Sequence, residues 1–429
     1  MLKTIKQSSF LRKAVALLAA ALNGFPQRHL TIIGITGSNG KTTTSYLLRH
    51  LLIKSGKTVG LIGTSGYWLD NNSKLETPAL GTTPVTTPEP FHLFRLLKQM
   101  VQKQTNFCIL EVSSAGLKDW RIFGINFKTA ILTSLSPTYH VALHGNFENY
   151  KNCKRRLFEI LSSQATAILP YDNPFFEEFK KHTQAKVISY GFSSQADVHG
   201  RILKQTWQNT SLIIETKQGN LEVTVPLKGD YNCLNIFSSV AYCLELGLPL
   251  TLIKEGLETL PPIAGRFEII ETTTPFKIVI DKANTTEAFN SLLKAVKNLP
   301  FHNLILVYGN FHDYSLEVRE ELAQLALANA DLTIITTDDP KEENPEQGLK
   351  DFINYAKRHQ IDQQKYLAIL ERKEALKTAL QKAQADDLIL ILGRGDEKLM
   401  NLGGKIIEFD DRKIVKDLLS ELNLSYHEI

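Results

Sequence analysis

The 429-residue sequence is poor in cysteine, methionine and tryptophan, with four, three and three of each. Cys108, Cys153, Cys233 and Cys243 form no Cys-x-x-Cys pair and no ligand-like spacing. That excludes a zinc ribbon and a disulfide scaffold, and it fits a reducing compartment. No internal repeat and no low-complexity tract is visible, and no apolar run is long enough to cross a bilayer. Neither sign of charge dominates: Lys plus Arg is 49 and Asp plus Glu is 45, a formal net charge of +4. Spread over this length, that excess predicts neither nucleic-acid coating nor membrane adhesion. What is present is a globular composition, 43% apolar and 22% charged, in a chain long enough for two or three domains. These numbers describe a soluble multidomain α/β protein.

One segment points elsewhere. Lys3, Lys6, Arg12 and Lys13 precede the apolar run Ala14–Leu22, which imitates a secretory signal with small residues near its end. The competing reading is an amphipathic or buried N-terminal helix, ended by Asn23-Gly24 and Pro26. The phosphate-binding wording that follows favours the second reading and a cytoplasmic location, because such a loop has no use outside the cell.

Short apolar runs alternate with helical patterns, as βαβ units with parallel sheets require. Leu30–Thr36 reads as a strand, and Thr42–Ser55 as a helix with Leu47, Leu48, Leu51 and Leu52 on one face. Phe107–Val112 and Ala130–Thr133 read as buried strands, Ser211–Pro226 as a hairpin and Leu234–Leu246 as a helix. A Pro- and Gly-containing stretch, Leu260–Gly265, interrupts the pattern before a second α/β series begins. Its strands are expected at Lys277–Asp281, Leu304–Tyr308, Asp331–Thr337 and Asp387–Leu392. Helices are expected between them at Glu317–Ala330, Gly348–Arg358 and Lys373–Ala385. The expected organisation is an N-terminal helical segment over 1–28, a first α/β domain over 29–263 and a Rossmann-like α/β domain over 264–429. A hinge between two such domains forms a cleft suited to a ligand.

The strongest local signal is Gly34-Ile35-Thr36-Gly37-Ser38-Asn39-Gly40-Lys41-Thr42-Thr43-Thr44, which leaves a predicted strand and opens a predicted helix. Glycines in such a loop let backbone N–H groups of Gly37, Ser38, Asn39 and Gly40 approach phosphate oxygens, and the helix N-terminus adds positive potential. Lys41 would reach the β- and γ-phosphates, the Thr42 hydroxyl would ligate Mg²⁺, and Thr43 completes the motif. A nucleoside triphosphate is therefore the expected ligand.

The wording of this loop resembles the Mur ligase superfamily, ATP-dependent enzymes that form amide bonds. Further motifs follow in that family's order and are similar to its MurE branch. They are Thr86-Thr87-Pro88-Glu89-Pro90, Glu111-Val112-Ser113-Ser114, the stretch Gly145 to Phe158, and Gly265-Arg266-Phe267-Glu268. Asp338-Asp339-Pro340-Lys341, Gly393-Arg394-Gly395-Asp396-Glu397 and Phe409-Asp410-Asp411-Arg412 complete the series. The resemblance implies addition of an amino acid to a UDP-N-acetylmuramoyl-peptide through an acyl phosphate, in peptidoglycan precursor synthesis. It implies small-molecule partners only, a nucleotide-sugar peptide and an amino acid, with no nucleic acid, no membrane span and a monomer.

Residue by residue, the resemblance implies that Glu111, His140 and Thr42 hold Mg²⁺. His144, four residues on, competes with His140. Lys154 matches a lysine that is carbamylated and supports a second Mg²⁺, whereas Lys151 is expected to be solvated. Asn232 and Asn235 match the pair that approaches the adenine, unless one of them caps its helix. Arg266 matches the γ-phosphate arginine and Asp281 the ribose-binding aspartate. Thr86, Thr87, Ser113 and Arg121 match contacts to the muramoyl-peptide. Asp339, Lys341, Gly393 and Glu397 match the site of the incoming amino acid.

The match has gaps. Only about 28 residues stand where the family has a uridine-binding domain. Tyr314, in Phe311-His312-Asp313-Tyr314-Ser315, replaces an arginine expected to clamp the amino acid's carboxylate, which removes a bidentate contact. Lys341 keeps a charge but loses the guanidinium fork. Asp281-Lys282-Ala283-Asn284 and Ser113-Ser114-Ala115 depart from Asp-Tyr-Ala-His and Ser-Ser-His. Two alternatives therefore stand beside the leading reading: a relative acting on a folate or polyglutamate carboxylate, and a non-catalytic ATP-binding homologue.

Overall fold

The computed structural model describes residues 9–75, 85–136, 141–310 and 314–424. The chain divides into two compact units, Met1–Pro261 and Pro262–Ile429.

The first unit is built on an eleven-stranded sheet. Its strands are β1 (Thr31–Thr36), β2 (Val59–Gly63), β3 (Gly66–Trp68), β4 (Lys74–Leu75), β5 (Phe107–Glu111) and β6 (Phe127–Leu132). They continue as β7 (Thr166–Pro170), β8 (Lys186–Gly191), β9 (Val198–Gln205), β10 (Thr210–Thr216) and β11 (Gly219–Val225). The order is β11-β10-β9-β8-β7-β6-β1-β5-β2-β3-β4, parallel from β9 to β2 and antiparallel at both ends. Strands β1, β5 and β6 are almost continuously apolar because helices cover both faces of a parallel sheet. The pairings Ile35 with Glu111 and Thr36 with Leu132 bring the carboxyl ends of β5, β1 and β6 level. The loops that follow these strands consequently emerge side by side, which is where open α/β sheets place ligands.

The second unit carries β12 (Glu268–Ile269), β13 (Lys277–Asp281), β14 (Leu304–Asn310), β15 (Leu332–Thr337), β16 (Tyr366–Ala368) and β17 (Leu388–Leu392). Their order is β12-β13-β17-β14-β15-β16, parallel except for β12. Ile278, Ile280, Val307, Ile334, Ile389 and Ile391 form the sheet side of one core layer, and Leu376, Leu380, Val415 and Leu418 the helical side. A small hairpin, β18 (Leu399–Leu402) and β19 (Lys405–Glu408), stands apart from the main sheet. The fold is α/β throughout: a phosphate-loop unit on a mainly parallel sheet, then a Rossmann-like α/β unit.

The elements differ from the sequence reading in several places. The helix expected at Leu234–Leu246 begins at Asp230, one turn earlier, because Gly229 ends the preceding segment at φ 86°. The helix expected at Lys373–Ala385 stops at Lys382. Strands β2, β7, β8 and β9 were not separable by pattern from buried helix segments. The four cysteines are all buried, and burial pushes the thiols of Cys108, Cys233 and Cys243 up to about 12, so they are inert at neutral pH.

The N-terminal helix runs Ser9–Leu22 and is buried on one face only, with an apolar rather than a polar outer face. Ala16, Ala19 and Ala20 face the core, whereas Phe10, Leu18 and Leu22 face outward.

Candidate active site

In the first unit, β1 delivers the chain into the loop Gly37–Gly40, and the helix Lys41–Lys54 starts directly after it. Gly40 has φ 85°, and a Cβ there would run into Oδ1 of Asn235. Only glycine meets both demands. The loop is held from outside. Ser38 N–H donates to the Ser134 carbonyl at 2.9 Å, Asn39 N–H to Ser134 Oγ at 2.8 Å, and Thr133 Oγ1 to the Asn39 carbonyl at 2.5 Å. Ser38 Oγ shares a hydrogen bond with the Tyr150 hydroxyl at 2.9 Å and accepts Ser136 N–H at 2.9 Å. The segment after β6 and Tyr150, on the helix Phe147–Glu159, thus pre-form the loop, a role for Thr133 and Ser134 that no motif pattern announces.

Two lysines converge on this loop. Lys41 Nζ donates to the carbonyls of Gly37 and Ser38 at 2.8 and 3.0 Å. Lys154, on the helix Phe147–Glu159, is 1% exposed and donates to the same Gly37 carbonyl at 2.8 Å. Burial, reinforced by the charge of Lys41, holds the Lys154 amine well below the ordinary lysine pKa. Lys151, expected to be solvated, is instead buried and bridges Glu148 and Glu178 at 3.0 and 2.7 Å. The helix turns 100° per residue, so position 151 shares a face with 154 and 147 and packs inward with them.

Glu111 closes β5 with no exposed surface. It accepts hydrogen bonds from Thr42 Oγ1 at 3.3 Å, Ser45 Oγ at 3.1 Å and Thr64 Oγ1 at 2.9 Å. Thr64 in turn shares a hydrogen bond with Thr86 Oγ1 at 2.9 Å. Thr87 Oγ1 donates to the Glu111 carbonyl at 2.9 Å and accepts Ser113 N–H at 2.8 Å. Arg121 anchors the same turn, donating to the Thr87 carbonyl at 2.9 Å and pairing with Glu89 at 2.9 Å and Asp119 at 3.1 Å. The structure therefore gathers Lys41, Thr42, Glu111, Lys154, Thr86, Thr87, Ser113 and Arg121 in one neighbourhood of the first unit. Ser45 and Thr64 join them and were missed, because single hydroxyl residues outside a motif carry no pattern signal.

The buried carboxylate beside the Thr42 hydroxyl is a hard oxygen set suited to Mg²⁺. Among the described residues no group of three or more His, Cys, Asp or Glu side chains gathers as a metal site. His140 lies outside the described residues. His144 is buried and edge-on to the Tyr150 ring at 5.4 Å, and its Nε2 has no partner among the described residues.

Burial first, then Lys118, Lys154 and Arg156, lower the His144 pKa to about 4. The folded state then binds fewer protons than the unfolded state between about pH 4 and pH 6.5, so stability rises with pH across that window. Replacing His144 with glutamine is expected to remove about 1 kcal/mol of the stability difference between pH 5 and pH 7, once solvent screening is allowed for. Urea unfolding of both proteins at the two pH values measures it, and an unchanged pH slope refutes it.

Asn232 and Asn235 are both buried. Asn235 Oδ1 accepts from Thr44 Oγ1 at 3.2 Å, its amide donates to Asn232 Oδ1 at 3.1 Å, and Asn232 Nδ2 donates to the Lys228 carbonyl at 2.9 Å. The pair locks the helix Asp230–Glu245 onto the first turn of the phosphate-loop helix.

In the second unit, Asp281 ends β13 and accepts the N–H groups of Phe267 at 2.6 Å and Ala283 at 2.7 Å. Burial pushes its carboxyl up to about 6, against the nearby Arg266. Arg266 donates to the Gly265 carbonyl at 2.9 Å and pairs with Asp396 at 3.2 Å. Lys282 reaches Glu397 at 2.9 Å, a pairing that the sequence gave no means to foresee. Asp339 accepts the Asn401 N–H at 2.7 Å, Lys341 sits at φ 51° beside the same hairpin, and a Cβ on Gly393 would collide with Asp338. Asp338 is itself pushed up to about 6 by burial, opposed by Arg372 and Arg394. Arg266, Asp281, Asp339, Lys341, Gly393 and Glu397 thus all lie at the carboxyl ends of β13, β15 and β17 or in the segments flanking them.

Comparison with known proteins adds family and fold. The profile described as Mur ligase middle domain matches residues 35–243, and that of the Mur ligase, glutamate ligase domain matches residues 265–395. A UDP-N-acetylmuramoyl-L-alanyl-D-glutamate–2,6-diaminopimelate ligase of Geobacillus thermodenitrificans is 34% identical over 416 residues, 96% of this chain and 83% of that protein. A solved structure of a ligase of the same description superposes with a TM-score of 0.65 at 26% identity, covering 96% of this chain and 83% of the other. A MurF ligase from Thermotoga maritima in complex with ADP shares the fold, with a TM-score of 0.68 at 18% identity, covering 94% and 83%.

Proposed function

The chain belongs to the Mur ligase family, and from that premise we propose that it joins diaminopimelate to UDP-N-acetylmuramoyl-L-alanyl-D-glutamate in peptidoglycan precursor synthesis, at the expense of ATP. The observation that carries this reading is the hydrogen-bonded path from Thr42 on the phosphate loop through Glu111 and Thr64 to Thr86. That path supports the reading because it links the phosphate-loop hydroxyl to a residue proposed for the acceptor through one hydrogen-bonded frame.

The chemistry needs a carboxylate to gain a leaving group better than oxide. The acceptor carboxylate attacks the γ-phosphorus of ATP and ADP departs; the amine of the amino acid then attacks the acyl carbon and inorganic phosphate leaves. Such phosphoryl transfer depends mainly on positioning and charge neutralisation. Lys41 is the cation at the phosphates, and the N–H groups of the Gly37–Gly40 loop align them. Thr86, Thr87, Ser113 and Arg121 position the acceptor. Arg266 and Asp281 serve the γ-phosphate and the ribose, and Asn232 and Asn235 support the adenine end of the loop. Thr42, Glu111, His140 and the Lys154 side would hold Mg²⁺, which would supply Lewis-acid neutralisation of the phosphate charge.

Lys154 is the residue to be carbamylated. Its buried amine is held towards the neutral form, which adds to carbon dioxide with release of one proton and leaves a carbamate anion where an ammonium stood. An anion there is compatible with a cation beside it, and an ammonium is not.

Asp339, Lys341, Gly393 and Glu397 receive the amino acid. Because Lys282 already pairs with Glu397, an incoming ammonium has to compete for that carboxylate. The test therefore measures phosphate release from ATP with the UDP-muramoyl-dipeptide, adding diaminopimelate, lysine and neutral amino acids singly. Release that requires the acceptor and diaminopimelate is expected. Release with another amino acid alone changes the donor, and silence with ATP still bound refutes the acceptor.

A further inference from the structure

We propose that the outward face of the helix Ser9–Leu22 docks this protein onto an anionic lipid bilayer. The helix is built inside out for a globular protein. Its buried residues are the small ones, Ala16, Ala19 and Ala20, which let it lie close against the helix Pro90–Gln102. Its large residues point away: Phe10, Leu11, Val15, Leu17, Leu18 and Leu22 are all exposed, Phe10 by 77%, Leu22 by 65% and Leu18 by 52%. At 100° per residue, these six and the intervening alanines cover an arc of about 160° with no polar side chain in it. A contiguous apolar surface of this kind on an otherwise charged exterior marks an interaction site.

The charges around the arc select the partner. Arg12 and Lys13 border it on its two sides. Arg12 pairs with Asp119, and the Lys13 ammonium stands 4.0 Å above the Trp120 ring, which fixes its position without cancelling its charge. Arg28 and Lys118 are exposed nearby. From Met1 to Leu69 the sequence has Lys3, Lys6, Arg12, Lys13, Arg28, Lys41, Arg49, Lys54 and Lys57 and not one Asp or Glu; Asp70 is the first. The overall charge of +4 hides this polarity.

An apolar face on a helix that carries Arg12 and Lys13 and no acid of its own is the pattern of a helix lying in the plane of an anionic membrane. A second copy of the chain would set two basic rims against each other. The described helix is too short to span: its 14 residues reach about 21 Å, short of a hydrocarbon core of about 30 Å.

The test uses the full chain and vesicles of equal parts phosphatidylglycerol and phosphatidylcholine, with pure phosphatidylcholine vesicles as control. Cosedimentation should favour the anionic vesicles by about tenfold or more and weaken as salt screens the rim. The double substitution Leu18→Asp and Leu22→Asp should reduce binding by about tenfold or more with an unchanged melting temperature, because both side chains are exposed. Sedimentation velocity should report the same mass for both proteins. No binding, equal binding to neutral vesicles, or binding untouched by the double substitution overturns the proposal. So does a concentration-dependent dimer that the substitution abolishes.

Discussion

Replacing Lys154 with alanine is expected to lower turnover by about 10²–10⁴-fold while ATP affinity changes by less than about tenfold, since the loss falls on transition-state charge rather than on nucleotide contacts. The Gly37–Gly40 loop is held by Thr133, Ser134, Ser136 and Tyr150 as well as by Lys154, so its conformation survives the truncation. What disappears is the buried amine beside the Gly37 carbonyl that is proposed to be carbamylated. Two controls separate this from simple structural damage. Wild-type turnover should fall when carbon dioxide is stripped from the buffer, and a short carboxylate added to the alanine variant should restore part of its turnover. Near-wild-type turnover in the variant removes Lys154 from the mechanism.

The second large effect is on stability. Arg372 and Asp411 form an ion pair at 2.7 and 2.9 Å with essentially no exposure on either side. Replacing Asp411 with alanine strands the guanidinium in the interior and is expected to cost about 3–5 kcal/mol. Urea unfolding measures it; a loss below about 1 kcal/mol would mean that the site relaxes to water. Arg372 also donates to the Leu392 carbonyl at 3.0 Å and the Thr337 carbonyl at 3.4 Å, the last residues of β17 and β15. Those carbonyls lead directly into Gly393–Glu397 and Asp338–Lys341. Under the amino-acid site proposed at those segments, Asp411 is a positioning residue that does not touch substrate, and its loss should raise KM for the amino acid.

The phosphate loop was legible because its signal is local: one short glycine-containing loop, one lysine and one threonine, all contiguous. The motifs Glu111-Val112-Ser113-Ser114, Gly265-Arg266-Phe267-Glu268 and Asp338-Asp339-Pro340-Lys341 were legible through resemblance, which gave identities and not partners. What each side chain touches was another matter. Lys151 and Lys154 lie three residues apart in a run of basic residues, and nothing in the run says that one bridges two glutamates and the other lies under a phosphate loop. Lys282 read as a departure from a tyrosine, and only the fold shows that it faces Glu397. The N-terminal helix read as amphipathic or buried, and only the fold shows that its small residues face inward and its large ones outward.

Composition, periodicity and the ordered motifs determined by themselves the α/β class, the two α/β series broken near Pro262, the phosphate loop and the family with its ATP-dependent amide chemistry. Those properties are set by contiguous residues or by the order of segments, which the chain carries explicitly. Tertiary structure alone decided which hydroxyls hold Glu111, why the Lys154 amine is desolvated, that Arg372 ties two strand ends to Asp411, and which face of the first helix meets solvent. Each of these depends on residues tens to more than a hundred positions apart meeting at strand ends, and burial and charge pairing exist only once that meeting has occurred.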